Sequence, residues 1–291
     1  LKIFMNYKSK FSFGEWNIGF IDPSFDLLKD QKLSVNWMKH GYKTCGFADP
    51  FLYNVTDTIF EVFAEEINFY RKNACLVRLV VDRQTKVLLE RKPILKLDTH
   101  LSYPFIIRNK EGVFVIPENV ASGKLNIYKY DEQKNCLIFQ RVLIELPLAD
   151  ATVVGYKDRF YLFATKKGYD NSDLYFWSAD RIFGEYSPRE GRLIKSDFTG
   201  SRMAGNFFCW DGRFYRFAQD CKGGYGRGIV IYRVIDLTPI SYKEEEIHRI
   251  YPTDPFYRDG IHTLNINKEV TVVDGYRLRY NPFVKVIKKL R

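Results

Sequence analysis

The sequence holds no Cys-x-x-Cys pair, no Gly-x-Ser-x-Gly elbow and no apolar run long enough to form a membrane-spanning helix. A redox dithiol, the usual acyl-transfer nucleophile and a transmembrane helix are thereby excluded. Four histidines and five scattered cysteines show no zinc-binding spacing, so no metal and no other cofactor is expected. An odd, dispersed cysteine set predicts reduced thiols in a reducing compartment, hence a cytoplasmic protein, and no secretory signal pattern is visible. Methionine is scarce, at 3 residues, whereas Phe and Tyr number 24 and 20. That aromatic excess favours strands over helices. The net charge of +10, with basic residues densest over Lys285–Arg291, favours an acidic partner such as an anionic glycan or a sugar phosphate. Basic and aromatic residues alternate over Tyr276–Tyr280, a pattern that fits an exposed strand, and nucleic acid is not an expected partner.

One plan recurs along the chain. Ala48-Asp49-Pro50-Phe51, Ser102-Tyr103-Pro104-Phe105, Ala149-Asp150-Ala151-Thr152 and Met203-Ala204-Gly205-Asn206 each open an apolar strand that turns back through a polar pair into a second one. Asp49, Tyr103, Asp150 and Ala204 stand 54, 47 and 54 residues apart. A third and often a fourth alternating run follow each hairpin. Four strands per unit of about fifty residues predict a propeller blade. A fifth, weaker copy begins at Gly260 and is read as a strand over Glu269–Val273 with a turn at Asp274-Gly275. The prediction is an all-β, five-bladed β-propeller occupying 1–291 as one domain, with blades near 47–97, 98–147, 148–200, 201–256 and 257–291. Phe11–Ile21 is expected to close the ring by pairing with the last blade, which removes an open sheet edge. The nearest thing to a linker is Glu244-Glu245-Glu246.

In an antiparallel hairpin the start of the first strand and the end of the second lie at the same edge. Those positions therefore converge on one mouth of the axis. They hold Asp49, Tyr103 and Asp150 on one side and Glu65, Glu118 and Gln219 on the other, with Asp220 one step on and His262 joining from the last blade. Carboxylates gathered at one rim push their pKa values apart, which allows one to donate a proton while another stays ionised. Asp49 is the candidate ionised base, Glu118 the candidate acid and Asp150 the residue that orients substrate or tunes Glu118. Glu65, Tyr103, Arg202, Gln219, Asp220, Tyr225 and His262 are candidate substrate-binding residues. Alternatively the carboxylates cap strand ends by accepting backbone N–H groups of the adjacent blade. Blade four adds Arg202, Arg216 and the glycine-rich stretch around Tyr225; Arg202 either clamps a uronate or phosphate, or forms a salt bridge within the ring.

Phe47-Ala48-Asp49-Pro50-Phe51 resembles the opening motif of five-bladed glycoside hydrolases of the arabinanase and β-xylosidase type. In that family the Asp is the general base, a second Asp tunes pKa and a Glu is the acid, although here Glu118 falls in the second blade and the family acid follows later in the ring. Ser102-Tyr103-Pro104-Phe105, Ile116-Pro117-Glu118, Asp150-Ala151-Thr152, Phe183-Gly184-Glu185-Tyr186 and Arg216-Phe217-Ala218-Gln219-Asp220 with Tyr225-Gly226 resemble the N-terminal domain of glucosamine inositolphosphorylceramide transferases and its stand-alone bacterial relatives. The resemblance implies a glycan-processing protein of surface-polysaccharide or glycoconjugate metabolism, acting by hydrolase, transglycosylase or transferase chemistry. The alternative it leaves open is a non-catalytic glycan-binding or scaffolding propeller that assists a glycosyltransferase partner.

Overall fold

The structure, a computed structural model, describes residues 12–23, 26–30, 32–281 and 283–284. The predicted repeats form five antiparallel sheets around one axis, four of them four-stranded and the fourth blade carrying a short fifth strand. The first residues provide β1 (Ser12–Ile21) and β2 (Val35–Trp37). Blade one is β3 (Cys45–Val55), β4 (Ile59–Asn68), β5 (Cys75–Asp82) and β6 (Leu88–Leu95). Blade two is β7 (Ser102–Asn109), β8 (Gly112–Glu118), β9 (Leu125–Asp131) and β10 (Cys136–Ile144). Blade three is β11 (Leu148–Tyr156), β12 (Arg159–Lys166), β13 (Asp173–Ala179) and β14 (Ser187–Ser196). Blade four is β15 (Thr199–Met203), the short β16 (Phe208–Trp210), β17 (Arg213–Asp220), β18 (Gly228–Leu237) and β19 (Tyr242–Ile250). Blade five places β20 (Leu264–Ile266) innermost, then β21 (Thr271–Tyr280), and borrows β1 and β2 as its outer strands.

The ring is therefore closed by the N-terminal strand. Ser12 faces Tyr280 and Ile21 faces Thr271, so all ten residues of β1 are paired with β21. This corrects the turn expected at Asp274-Gly275. The strand runs straight through, because a ten-residue partner is available to satisfy its backbone on the far side. Phe11 and Lys285–Arg291 lie outside the described residues. The acidic stretch at Glu244–Glu246 is no linker; it belongs to β19, and Glu244 is buried against Arg216 (2.7 Å) and Lys195 (3.1 Å).

Aromatic side chains fill the spaces between neighbouring blades. Phe51, Tyr103, Phe163, Phe176 and Trp177 are fully buried in one cluster that joins blades one to four. Phe20 of β1 stacks on Phe60 of β4 at 4.8 Å, which seals blade five to blade one. Each such ring contributes roughly 1.5–3 kcal/mol by leaving water. The aromatic surplus in the composition is thus what the wedge-shaped gaps between blades require.

Candidate functional site

Three innermost strands share one irregularity. Between Ala48↔Glu65 and Phe51↔Phe63, between Ser102↔Glu118 and Phe105↔Ile116, and between Ala149↔Thr165 and Thr152↔Phe163, the inner strand carries one residue more than its partner. Asp49, Tyr103 and Asp150 occupy these bulges at φ of 50°, 43° and 49°. Left-handed backbone costs a non-glycine residue about 1–3 kcal/mol, and it persists only where the surroundings hold it.

What holds it is a neighbouring blade. The Asp49 N–H donates to Asp274 Oδ2 of blade five (3.1 Å), the Tyr103 N–H to Asp49 Oδ2 of blade one (3.0 Å), and the Asp150 N–H to Glu118 Oε2 of blade two (3.2 Å). Arg202 Nε (2.6 Å) and Gln219 Nε2 (2.9 Å) of blade four donate to Asp150 Oδ2. The Leu264 N–H of blade five donates to the Ala204 carbonyl at 2.7 Å, which completes the circle. Carboxylates accepting N–H groups of the adjacent blade are one of the two alternatives legible in the sequence, and they are realised at all three bulges.

The mouth divides into two charge clusters bridged by one aromatic ring. In the first, His262 Nδ1 lies 2.6 Å from Asp274 Oδ2 and its Nε2 lies 3.5 Å from Asp49 Oδ1. Thr263 Oγ1 donates to Asp49 Oδ1 (2.6 Å), and the backbone N–H groups of His262 (2.8 Å) and Thr263 (3.0 Å) donate to Asp274 Oδ1. The imidazole stacks on Trp16 at 4.1 Å. In the second, the Arg202 guanidinium holds Asp150 and also Glu118 Oε2 (3.1 Å). Arg202 therefore forms the structural salt bridge rather than standing free. Tyr225 spans the two, lying 5.0 Å from the Arg202 guanidinium and edge-on to His262 at 5.2 Å; the residue as a whole is 48% exposed, while burial of its phenol raises the hydroxyl pKa. It is the half-open cover of an otherwise buried cluster.

Burial decides the protonation of these groups. Desolvation pushes the Asp49 carboxyl up to about 7, against the pull of the His262 cation and with help from Glu65, Asp150 and Asp274. Desolvation and the Asp150 charge hold Glu118 well above the usual carboxylate range, only partly offset by Arg202. The expected contrast between an ionised Asp49 and a protonated Glu118 thus gives way to two carboxyls shifted in the same direction. His262 loses basicity by burial, but Asp274 and Asp49 overcompensate and raise it to about 9. Asp49, His262 and Asp274 each offer one ligand atom within 4.8 Å of the others, a geometry that could hold a metal ion. Without a metal, the imidazole raised to about 9 supplies positive charge between Asp274 and Asp49.

Most of the residues singled out in the sequence meet here: Asp49, Glu118, Asp150, Tyr103, Arg202, Gln219, Tyr225 and His262. The Tyr103 hydroxyl reaches blades three and four, lying 2.9 Å from Thr152 Oγ1 and accepting the Gly205 N–H at 2.9 Å. Glu65 lies at the edge of the group and pairs with His100 Nε2 at 3.0 Å, which raises the basicity of that histidine. Asp220 is engaged elsewhere, accepting from Tyr251 (2.7 Å) and from the Lys222 N–H (3.0 Å). Arg216 is fully buried against Glu244, within blade four. Sequence reasoning missed Asp274, Thr263 and Trp16. No local signal marked Asp274, because Asp274-Gly275 reads as a hairpin turn until its pairing with β1 is known.

A family model for the N-terminal part of glucosamine inositolphosphorylceramide transferase 1 matches residues 34–274. This chain belongs to that family. The glucosamine inositolphosphorylceramide transferase 1 of Oryza sativa subsp. japonica is 31% identical over 217 residues, covering 72% of this chain and 29% of that protein. The protein of the same name from Arabidopsis thaliana is 27% identical over 212 residues, covering 69% of this chain and 27% of its own. The chain thus spans less than a third of these relatives. Among solved structures, an exo-1,5-alpha-L-arabinanase from a bovine ruminal metagenomic library superposes with a TM-score of 0.56 at 12% identity, covering 81% of this chain and 94% of that one. The β-xylosidase RS223 superposes with a TM-score of 0.53 at 9% identity, covering 82% and 94%. At such identities the likeness is one of fold.

Proposed function

We propose that this chain is a glycan-recognising propeller that receives a sugar or sugar phosphate at the Tyr225 mouth and presents it to a glycosyltransferase in glycoconjugate or surface-polysaccharide assembly. One observation carries the reading: each axial carboxylate is already engaged by a donor from a neighbouring blade. Asp49 accepts from Tyr103 and Thr263, Asp150 from Arg202 and Gln219, and Glu118 from Arg202 and Asp150. A base or acid that must exchange protons with substrate would have to abandon contacts that hold the fold. The groups left to meet a ligand are the Tyr225 ring, the half-exposed His100 and the outer edge of Glu118. An aromatic face beside a guanidinium suits the apolar face of a sugar ring and its polar edge. The relatives are named for transfer to inositolphosphorylceramide, which makes a phosphate-bearing glycolipid head group a natural ligand class.

A second reading is glycan processing, with Glu118 as proton donor, Asp49 as base and Asp150 tuning the pair. It is favoured by the upward shift of both carboxyls, which makes Asp49, at about 7, a better proton acceptor and favours the protonated form of Glu118. Wild type, Asp49→Asn and Glu118→Gln should be screened against surface-polysaccharide fragments and nucleotide sugars, with binding and turnover read together. Saturable binding without turnover, weakened in Glu118→Gln, supports recognition at this mouth. Turnover by wild type that both variants lose would overturn it in favour of processing, and neither binding nor turnover by wild type would sink both.

A further inference from the structure

We infer that the opposite mouth of the axis is a second binding site, built for a neutral polyol or a single sugar residue. Along β3 the order is Asp49, then buried Phe51, then Asn54, so the strand passes from one mouth to the other. Phe51 meets Tyr103 and Phe105 edge to face, at 4.9 and 5.9 Å, and this buried layer separates the two ends. Beyond it a cavity of about 410 Å³ opens, lined chiefly by Asn54, Arg108, Asn206, Asn267 and Glu269. Its size falls within the ~300–1,000 Å³ of small-molecule sites.

The chemistry of the lining sets the ligand class. Three asparagines contribute neutral amides, two of them with one half already engaged: Asn54 Nδ2 donates to Glu61 Oε2 at 3.0 Å, and Asn267 Oδ1 accepts the Glu269 N–H at 2.6 Å. The Asn54 oxygen and the Asn267 NH2 are left to meet an acceptor-donor pair such as adjacent hydroxyls. Asn206 is fixed from behind. Its N–H donates to Asn265 Oδ1 at 2.7 Å, and Asn265 Nδ2 in turn donates to the Pro50 carbonyl at 2.8 Å. Its own Oδ1 is buried with no protein donor among the described residues. A buried acceptor left without a partner is costly, so rotation of the Asn206 amide toward the cavity, where a ligand hydroxyl could reach this oxygen, is favoured. The two charged residues are occupied: Glu269 pairs with Arg83 at 2.8 Å, while Arg108 bonds the Tyr53 carbonyl and stacks 5.0 Å from its ring. Opposite charges, each already engaged, leave no net field to select an anion. An adjoining cavity of about 330 Å³ shares Ile266 and Asn267 and is walled by Phe207, Phe208 and the 54% exposed Trp210, which gives a longer saccharide somewhere to extend.

The test is ligand-observed NMR with myo-inositol, galactose and N-acetylglucosamine as probes, on wild type, Asn206→Ala, Asn54→Ala and Glu118→Gln. Wild type should bind at least one probe saturably. Asn206→Ala should weaken that binding about fivefold, as expected for one lost hydrogen bond, and Glu118→Gln at the other mouth should leave it within about twofold. Asn54 is exposed, so its variant keeps the test decisive if Asn206→Ala fails to fold. No saturable binding of any probe would overturn the inference. So would loss in Glu118→Gln alone, which would assign the sugar to the carboxylate mouth and leave the proposed function standing without the second site.

Discussion

Removing the Arg202 guanidinium should expose how much of the mouth is held together by charge. Arg202 is about nine-tenths buried and serves Asp150 and Glu118 at once, whose side chains are 4% and 15% exposed. Deleting one partner of a buried ion pair strands the remaining charge, at a cost of roughly 3–5 kcal/mol. Unfolding entropy of about 2.1 cal/mol/K per residue gives about 0.6 kcal/mol/K for 291 residues. Arg202→Met should therefore melt about 5–8 °C below wild type at pH 8. The deficit must also depend on pH. Glu118 is held above the usual carboxylate range when folded, so the folded variant binds protons at a higher pH than the unfolded chain. Its stability falls as pH rises above that range and recovers as pH falls, and the gap to wild type should be smaller at pH 5 than at pH 8. Replacing both carboxyls as well, in Arg202→Met/Glu118→Gln/Asp150→Asn, should recover much of the loss, because no charge is then stranded. Melting curves of the three proteins by circular dichroism at both pH values decide the matter. A drop of under ~1 °C, or an equal drop at pH 5 and pH 8, would refute the idea that Arg202 neutralises the pair.

The other mouth residues give further expectations. His262 is raised from 6.5 to about 9 by Asp274 and Asp49, so its contribution to stability is full below pH 6.5 and is lost as pH rises through about 9. His262→Gln should flatten that part of a melting-temperature profile taken from pH 6 to 10, and an unchanged profile would rule the histidine out as its source. Gly205→Ala should lower stability by at least about 1–3 kcal/mol in a urea titration, since φ is +136° there and a Cβ would collide with the Leu264 carbonyl. A chain beginning at Cys45 would lack β1 and β2 and leave β21 as an open edge. It should aggregate on size-exclusion chromatography, and a stable monomer would show that the first strands are dispensable.

The blades were legible because their signals are local. Apolar runs, polar turns and the recurring Ala-Asp-Pro-Phe type of opening need only neighbouring residues to be read. The mouth was legible where it follows from the repeat, since Asp49, Tyr103 and Asp150 are equivalent positions. What stayed hidden depends on pairing across the chain. Asp274-Gly275 has the chemistry of a hairpin turn, yet β1, more than 250 residues earlier in the sequence, keeps it in strand conformation. Likewise a single sequence offers nothing to decide whether Arg202 meets a ligand or a carboxylate. Only the side-by-side placement of blades two, three and four brings Glu118 and Asp150 to it.

The N–H groups of Asp49, Tyr103 and Asp150, the Arg202 and Gln219 side chains and the Leu264 N–H join each blade to the next, and the last joins the first. Such an arrangement is a hoop, loaded in series. An open solenoid can fray from its ends, each unit parting from one neighbour at a time. A hoop has no ends, and one parted joint slackens the bulges on either side, whose left-handed backbone these bonds help to hold. Five blades should therefore give way in one transition, and a ligand seated under Tyr225 would stiffen the whole circumference rather than the blade it touches.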